Sequence, residues 1–142
     1  MAIELTERVF ADLAEIAAKA RENAYCPYSG FAVGAALLDA NGKVWTGVNI
    51  ENAAYGPTNC AERTAFFKAV SEGVREFAAI AISGGKTGEE ADAPCAPCGI
   101  CRQVMREFCA DAFKIILGRG EQMKVYTLTQ LLPESFSPRN LE

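Results

Sequence analysis

The sequence predicts an α/β fold, a three-layer α-β-α sandwich around a mixed five-stranded sheet. An apolar hairpin pattern comes first, and strand-type apolar runs then alternate with helical segments, which is typical of this class. The 142 residues, 50% of them hydrophobic, are enough for one core. No repeat or change of composition marks a boundary, so we expect a single domain over residues 1–142.

The first predicted elements are a helix and a hairpin. From Thr6 to about Ala24 the apolar residues recur on one helical face, and Thr6 is a suitable N-cap. Strands are predicted at 32–39 and 43–49. Asn41-Gly42 lies between them, and this dipeptide favours a tight hairpin turn.

The rest of the chain predicts two helices and three strands. The helices are expected to begin at Cys60 and Cys98, and a long loop over 84–97 precedes the second. Loops of that length in compact domains often carry function. The strands are predicted at 77–83, 112–118 and 124–128.

Charge and composition exclude several functions. A net charge of -4, without clustered Lys and Arg, predicts no nucleic-acid partner. No apolar run could cross a bilayer and the first residues are acidic, so we expect no membrane partner and a cytoplasmic location. In that reducing compartment the six cysteines indicate metal binding, catalysis or packing rather than disulfides. The chain has no histidine, which excludes imidazole ligands and histidine-based triads.

Three cysteines lie where the predicted helices begin. Cys98 and Cys101 form a C-x-x-C on one helical face, and Cys60 opens the other helix. A helix N-terminus lowers the pKa of a nearby thiol, and thiolates favour zinc or iron–sulfur. Three protein ligands would leave the fourth position of a zinc ion for water, as in catalytic sites. Glu62 is the only acid in these motifs and is the candidate proton acceptor.

These motifs resemble the cytidine deaminase family. Cys60-Ala-Glu-Arg63, followed by Pro97-Cys-Gly-Ile-Cys-Arg-Gln103, is similar to its zinc-binding signature. Cysteine rather than histidine at position 60 resembles the short, homotetrameric branch. Further segments are similar as well: Pro27–Ala35, Asn49–Tyr55 and Leu131–Phe136.

The resemblance implies a cytidine deaminase-like fold and one Zn²⁺ per subunit, held by Cys60, Cys98 and Cys101. It implies hydrolytic deamination of cytidine and 2′-deoxycytidine to uridine and 2′-deoxyuridine plus ammonia, in pyrimidine salvage. Glu62 would move protons from water to N3 of the base. The substrate would be a small nucleoside, in active sites shared between the subunits of a homotetramer.

Further site residues are implied in the same way. Asn49 and Glu51 would hold the ribose hydroxyls, and their spacing at a strand end would place both on one side. Arg63 and Arg102 are indicated by their position rather than by the resemblance: they adjoin the predicted ligands and are candidate partners for the negative charge of the thiolates. By the same resemblance, Phe31 would pack on the base and the Ala61 N–H would bond to it. Tyr55 and Phe136 would come from neighbouring subunits and complete the pocket.

Cys95 makes the ligand set ambiguous. It lies three residues before Cys98 and creates a second C-x-x-C. The family pattern predicts that Cys95 is a non-ligating loop thiol. As a fourth ligand it would close the site and make the chain a zinc-stabilised, non-catalytic module.

The substrate class also admits two competing hypotheses. The chain could deaminate a cytosine-containing antibiotic such as blasticidin S, but Asn49 and Glu51 disfavour this because a ribose grip suits a nucleoside. It could deaminate cytosine in a polynucleotide, but the acidic net charge disfavours a phosphate backbone as partner.

Overall fold

The computed structural model describes residues 3–142. Its helices and strands follow the predicted order, with a short fourth helix added near the C-terminus. The elements are α1 (Glu7–Ala20), β1 (Phe31–Asp39), β2 (Val44–Val48), α2 (Ala61–Ser71), β3 (Phe77–Lys86), α3 (Gly99–Phe108), β4 (Lys114–Leu117), β5 (Lys124–Thr127) and α4 (Leu128–Leu131). No helix among these described residues is both long and apolar enough to span a membrane.

The five strands form one mixed sheet in the order β2-β1-β3-β4-β5. Only β3 and β4 pair in parallel, and the other neighbours are antiparallel. Successive residues of a strand face opposite sides, so Ala35 and Leu37 join the core under α2 and α3, whereas Ala36 and Leu38 join the core under α1. The predicted three-layer sandwich is therefore confirmed.

Two glycines set the distance between the sheet and its helices. A Cβ placed on Gly34 would lie 2.2 Å from the Ala17 carbonyl oxygen of α1, and one placed on Gly47 would lie 2.3 Å from the Ala61 carbonyl oxygen of α2. Atoms cannot approach so closely, so only glycine permits this packing. Gly47 thus fixes the first turn of α2 against the sheet.

The first helix begins as predicted. The backbone N–H of Val9 donates to Thr6 Oγ1 at 3.2 Å, which confirms Thr6 as the N-cap. The α-helix ends at Ala20, earlier than expected, and one 3₁₀ turn at Arg21–Asn23 completes it. Its most buried residues are Leu13, Ala14 and Ala17.

The β1–β2 hairpin is built around a buried carboxylate. Asp39, 2% exposed, accepts from the N–H groups of Asn41 at 2.8 Å and Lys43 at 3.0 Å, and from Trp45 Nε1 at 3.0 Å. Burial opposes ionisation, but these hydrogen bonds outweigh it and hold the pKa of Asp39 below its ordinary value. The turn predicted from Asn41-Gly42 is therefore anchored to the core.

The third strand is longer than predicted. Gly84 and Gly85 were expected in a loop, yet they pair with Val33 and Ala32 of β1. A Cβ on Gly84 would lie 2.5 Å from Cys95 Sγ, so the close passage of the following loop demands a glycine here. The loop that leads to Cys98 therefore folds back against the end of β3.

Candidate active site

Three sulfur atoms meet at one point. Cys60 Sγ lies 3.9 Å from Cys98 Sγ, which lies 3.5 Å from Cys101 Sγ, and all three are within 4.8 Å of one another. In tetrahedral zinc sites with Zn–S bonds of about 2.3 Å, ligand sulfurs lie about 3.8 Å apart. Two of the separations are close to this value and the third is at most 4.8 Å, so the three cysteines can hold a zinc ion with only small adjustments.

The starts of α2 and α3 place these sulfurs. Cys60 and Cys98 are the N-cap residues of the two helices, and neither side chain caps its own helix. Cys101 lies in the first turn of α3 and is 1% exposed. The partial positive charge at both helix N-termini favours thiolates here.

The protonation of the cysteines is strongly coupled. A hydrogen bond from the Cys101 thiol, with support from Arg63, lowers the pKa of Cys60 to about 5. The same bond raises the pKa of Cys101, because the proton is held between the two sulfurs. Of the two sulfurs, Cys60 is therefore the one on which negative charge is favoured.

Arg63 is the cation beside the cluster. Its Nη2 donates to Cys60 Sγ at 3.2 Å. Burial opposes its charge, but bonds to Cys60 and Cys101 outweigh the burial and raise the pKa of Arg63. Within residues 3–142 its buried Nε has no hydrogen-bond partner. Arg63 was expected to balance the charge of the sulfurs, and its hydrogen bond to Cys60 is a direct contact of that kind.

Arg102 does not pair with a sulfur. Its Nε donates to the Pro97 carbonyl at 2.8 Å and its Nη1 to the Leu131 carbonyl at 2.6 Å. A residue next to Cys101 on a helix is turned away from the Cys101 side by about 100°. The contact with the thiolates that was expected of Arg102 is thus not formed.

Glu62 is buried beside the cluster. It is the second residue of α2 and is 5% exposed. Burial raises the pKa of Glu62 to about 7, its own backbone N–H opposes that rise, and the negative charge of Cys60 adds to it. A carboxyl group in this environment can both accept and donate a proton.

Cys95 lies outside the sulfur cluster. The described residues contain one group of three metal-binding side chains, Cys60, Cys98 and Cys101, and Cys95 is not in it. Its sulfur packs against Gly84, and burial raises the pKa of Cys95. This arrangement agrees with the non-ligating thiol predicted from the family pattern.

Asn49 and Glu51 lie beyond the end of β2, whereas Asn49 was expected to be the last residue of that strand. Ile50, between them, forms bridges to Tyr25 and Asn59. Asn49 Oδ1 accepts from the Val33 N–H at 2.9 Å, and Glu51 accepts from the backbone N–H and hydroxyl groups of Ser29. Hydrogen bonds from Ser29 lower the pKa of Glu51. Both side chains are thereby fixed next to the start of β1.

The aromatic candidates are all exposed. Phe31 is 41% exposed, Tyr55 74% and Phe136 59%, which is high for large apolar side chains. Tyr55 has a φ of 62°, and its ring meets Tyr28 edge to face. Ala61 is the first residue of α2, so its N–H has no acceptor within the helix.

Two contributors were not predicted from the sequence. Ser29 holds Glu51, and Arg21 donates to the carbonyls of Ala32, Gly85, Lys86 and Glu89, tying α1 to the ends of β1 and β3. The turn residues around Ser29 gave a weak signal. Nothing local distinguishes Arg21, because its partners are distant in sequence.

Fold and site together define a zinc-binding deaminase, in which a thiolate-rich metal site opens beside one buried glutamate. Residues 9–117 match the cytidine and deoxycytidylate deaminase zinc-binding region. The chain belongs to the cytidine deaminase family, and the expected zinc cofactor is confirmed with it.

The chain is similar to individual cytidine deaminases and, at lower identity, to a blasticidin-S deaminase. The chain is 52% identical over 125 residues to a cytidine deaminase of Sporosarcina psychrophila, covering 87% of this chain and 88% of that one. It superimposes on the crystal structure of a cytidine deaminase from Burkholderia pseudomallei with a TM-score of 0.78 and 45% identity, covering 93% and 100% of the two chains. A blasticidin-S deaminase of Bacillus cereus is 32% identical over 108 residues, with 74% and 76% coverage.

Proposed function

We propose that this protein hydrolyses cytidine and 2′-deoxycytidine to uridine and 2′-deoxyuridine with release of ammonia. The observation that carries the proposal is the cluster of three sulfurs with a buried carboxyl beside it. The chain is 52% identical to the cytidine deaminase of Sporosarcina psychrophila and 32% identical to the blasticidin-S deaminase of Bacillus cereus, which favours the nucleoside over the antibiotic.

Cys60, Cys98 and Cys101 are the proposed zinc ligands. Their sulfur separations of 3.5 and 3.9 Å suit a tetrahedral ion, and no fourth metal-binding side chain joins the group within the described residues. Zinc bound there supplies Lewis acidity that lowers the pKa of a water molecule. Arg63 offsets the excess negative charge of three thiolates.

Glu62 is the proposed proton carrier. It takes the proton from the water whose oxygen bonds to C4 of cytosine, and it delivers a proton to N3. It then takes the proton of the new C4 hydroxyl and gives it to the amino group, so that the C4–O carbonyl forms, the C4–N4 bond breaks and ammonia leaves. Its burial keeps the carboxyl away from bulk solvent, so the proton passes between enzyme and substrate.

The substrate contacts are proposed from the family pattern. Asn49 and Glu51 would bind the ribose hydroxyls, using the lone pairs and the amide proton that are not already engaged by Tyr28, Ser29, Phe31 and Val33. The Ala61 N–H and the ring of Phe31 would hold the base. Exposure of Tyr55 and Phe136 supports a homotetramer in which neighbouring subunits complete each pocket. We further propose one domain over 1–142, a cytoplasmic location and a role in pyrimidine salvage, with neither nucleic acid nor membrane as a partner.

Loss of cytosine absorbance during incubation with cytidine tests the reaction directly. Glu62→Gln should reduce kcat by about 10²–10⁴-fold while zinc content stays at one ion per chain. Glu72→Gln, an exposed change at the end of the same helix, is the matched control and should retain activity. A wild-type protein that binds zinc but leaves cytidine unchanged would indicate a non-catalytic zinc module, and turnover of blasticidin S alone would indicate the antibiotic deaminase.

A further inference from the structure

Two side chains that follow Cys101 in α3 hold the C-terminal segment. Arg102 bonds to the Leu131 carbonyl at 2.6 Å, and Gln103 Nε2 donates to the Phe136 carbonyl at 2.9 Å. The guanidinium of Arg102 also bonds to the Pro97 carbonyl at 2.8 Å, directly before Cys98. One cation therefore joins the turn that carries a sulfur ligand to the segment 131–136.

The held segment has a strained bend at its centre. Glu134 has a φ of 50°, in the left-handed region that residues with a Cβ rarely adopt. Such a conformation persists when its surroundings fix both sides of it. Here α3 holds the carbonyl at each end, Leu131 through Arg102 and Phe136 through Gln103. The bend therefore places Phe136 at the surface, where its side chain is 59% exposed.

We infer that Arg102 is a positioning residue that couples the metal site to the placement of Phe136. The inference rests on the proposed function, which assigns Cys98 to zinc and Phe136 to a neighbouring pocket. A planar guanidinium with several donors can bind two carbonyls at once in fixed directions, which a lysine ammonium cannot reproduce. Displacement of the Cys98 turn is thus transmitted to the C-terminal segment, and displacement of that segment is transmitted to the Cys98 turn.

Two readouts on the zinc-loaded enzyme test the coupling without using turnover. The first is the rate of zinc release to excess chromogenic chelator. The second is hydrogen exchange at the amides of Leu132 and Ser137, which are bonded to the Leu128 carbonyl and to Asn140 Oδ1. Arg102→Met should accelerate both by about 10-fold or more, because a charge-assisted hydrogen bond is lost at each end. It should also raise KM for cytidine more than it lowers kcat.

Arg106→Met is the matched control. Arg106 lies in the same helix and bonds to the Cys109 carbonyl and Asp111, not to Pro97 or Leu131, so zinc release and exchange at the Ser137 amide should not change. If Arg102→Met exchanges faster but releases zinc at the wild-type rate, Arg102 only caps α4 and the coupling is overturned. Faster zinc release with unchanged exchange would overturn the coupling as well. Arg102→Lys serves if the methionine variant does not fold: intermediate rates support the coupling, and wild-type rates refute it. Failure of the proposed function is seen separately, in the wild-type protein, as absence of zinc or of cytidine turnover.

Discussion

Replacing Gly47 by alanine tests whether the sheet positions the catalytic helix. The new Cβ would lie 2.3 Å from the Ala61 carbonyl oxygen and 2.6 Å from the Ala65 nitrogen, both rigid backbone atoms. Ordinary van der Waals contact needs about 3.4 Å, so the first turn of α2 must move by about 1 Å. That turn carries Glu62, and a misplacement of about 1 Å can cost about 10²-fold in rate. We expect kcat/KM to fall by that factor, with about 1–3 kcal/mol of stability lost to overpacking.

Gly34→Ala is the matched control, because it creates the same clash on the opposite face of the sheet. Its Cβ would lie 2.2 Å from the Ala17 carbonyl oxygen of α1, a helix without proposed site residues. Steady-state kinetics, zinc content and thermal unfolding of both variants separate misplacement from general destabilisation. Equal losses of kcat/KM in the two variants, or a Gly47→Ala enzyme with full activity and lowered Tm, would refute the reasoning.

Three further predictions concern the hairpin, the extra cysteine and the C-terminal segment. Asp39→Asn should lower the free energy of unfolding by about 2 kcal/mol at pH 7. Because the pKa of Asp39 is held below its ordinary 3.8, the stability advantage of the wild type over the variant is complete above pH 3.8 and is lost as the pH falls further. Denaturation curves that give the same difference in free energy of unfolding at pH 7 and at pH 3 would contradict this prediction. Metal analysis should find zinc unchanged in Cys95→Ser and lost in Cys101→Ser, and the opposite pattern would make Cys95 a ligand. A chain ending at Leu132 lacks Phe136 and should lose both the tetramer and activity in sedimentation and kinetic assays, whereas intact assembly with full turnover would disprove the shared pocket.

Local signals were sufficient for most of the fold. Asn41-Gly42 predicted the hairpin, and Thr6 predicted the start of α1, because turns and caps depend on neighbouring residues. The extension of β3 through Gly84 and Gly85 was missed because glycine is unfavourable in strands. Here Gly84 is required by the close packing of Cys95, and a Cβ on Gly85 would lie 3.0 Å from the Ala91 side chain. The four-residue α4 is too short to show helical periodicity.

The site was predictable to the extent that its residues are close in sequence. Cys98 and Cys101 share a turn, and Arg63 reaches Cys60 because residues three apart lie on one helical face. Arg102 was assigned to the thiolates because it adjoins a ligand, but its partner Leu131 is 29 residues away and no local pattern indicates it. Long-range hydrogen bonds to backbone carbonyls leave no trace in spacing or composition.

The spacing of the sulfurs also has a consequence for the handling of the protein. Cys98 Sγ and Cys101 Sγ, 3.5 Å apart, need to approach by only about 1.5 Å to reach the length of a disulfide bond. With zinc bound, their lone pairs are engaged by the ion; after zinc is stripped, an oxidant can remove two electrons and two protons and join them. Chelation in air should therefore inactivate the protein in a way that added zinc alone does not reverse but a thiol reductant followed by zinc does.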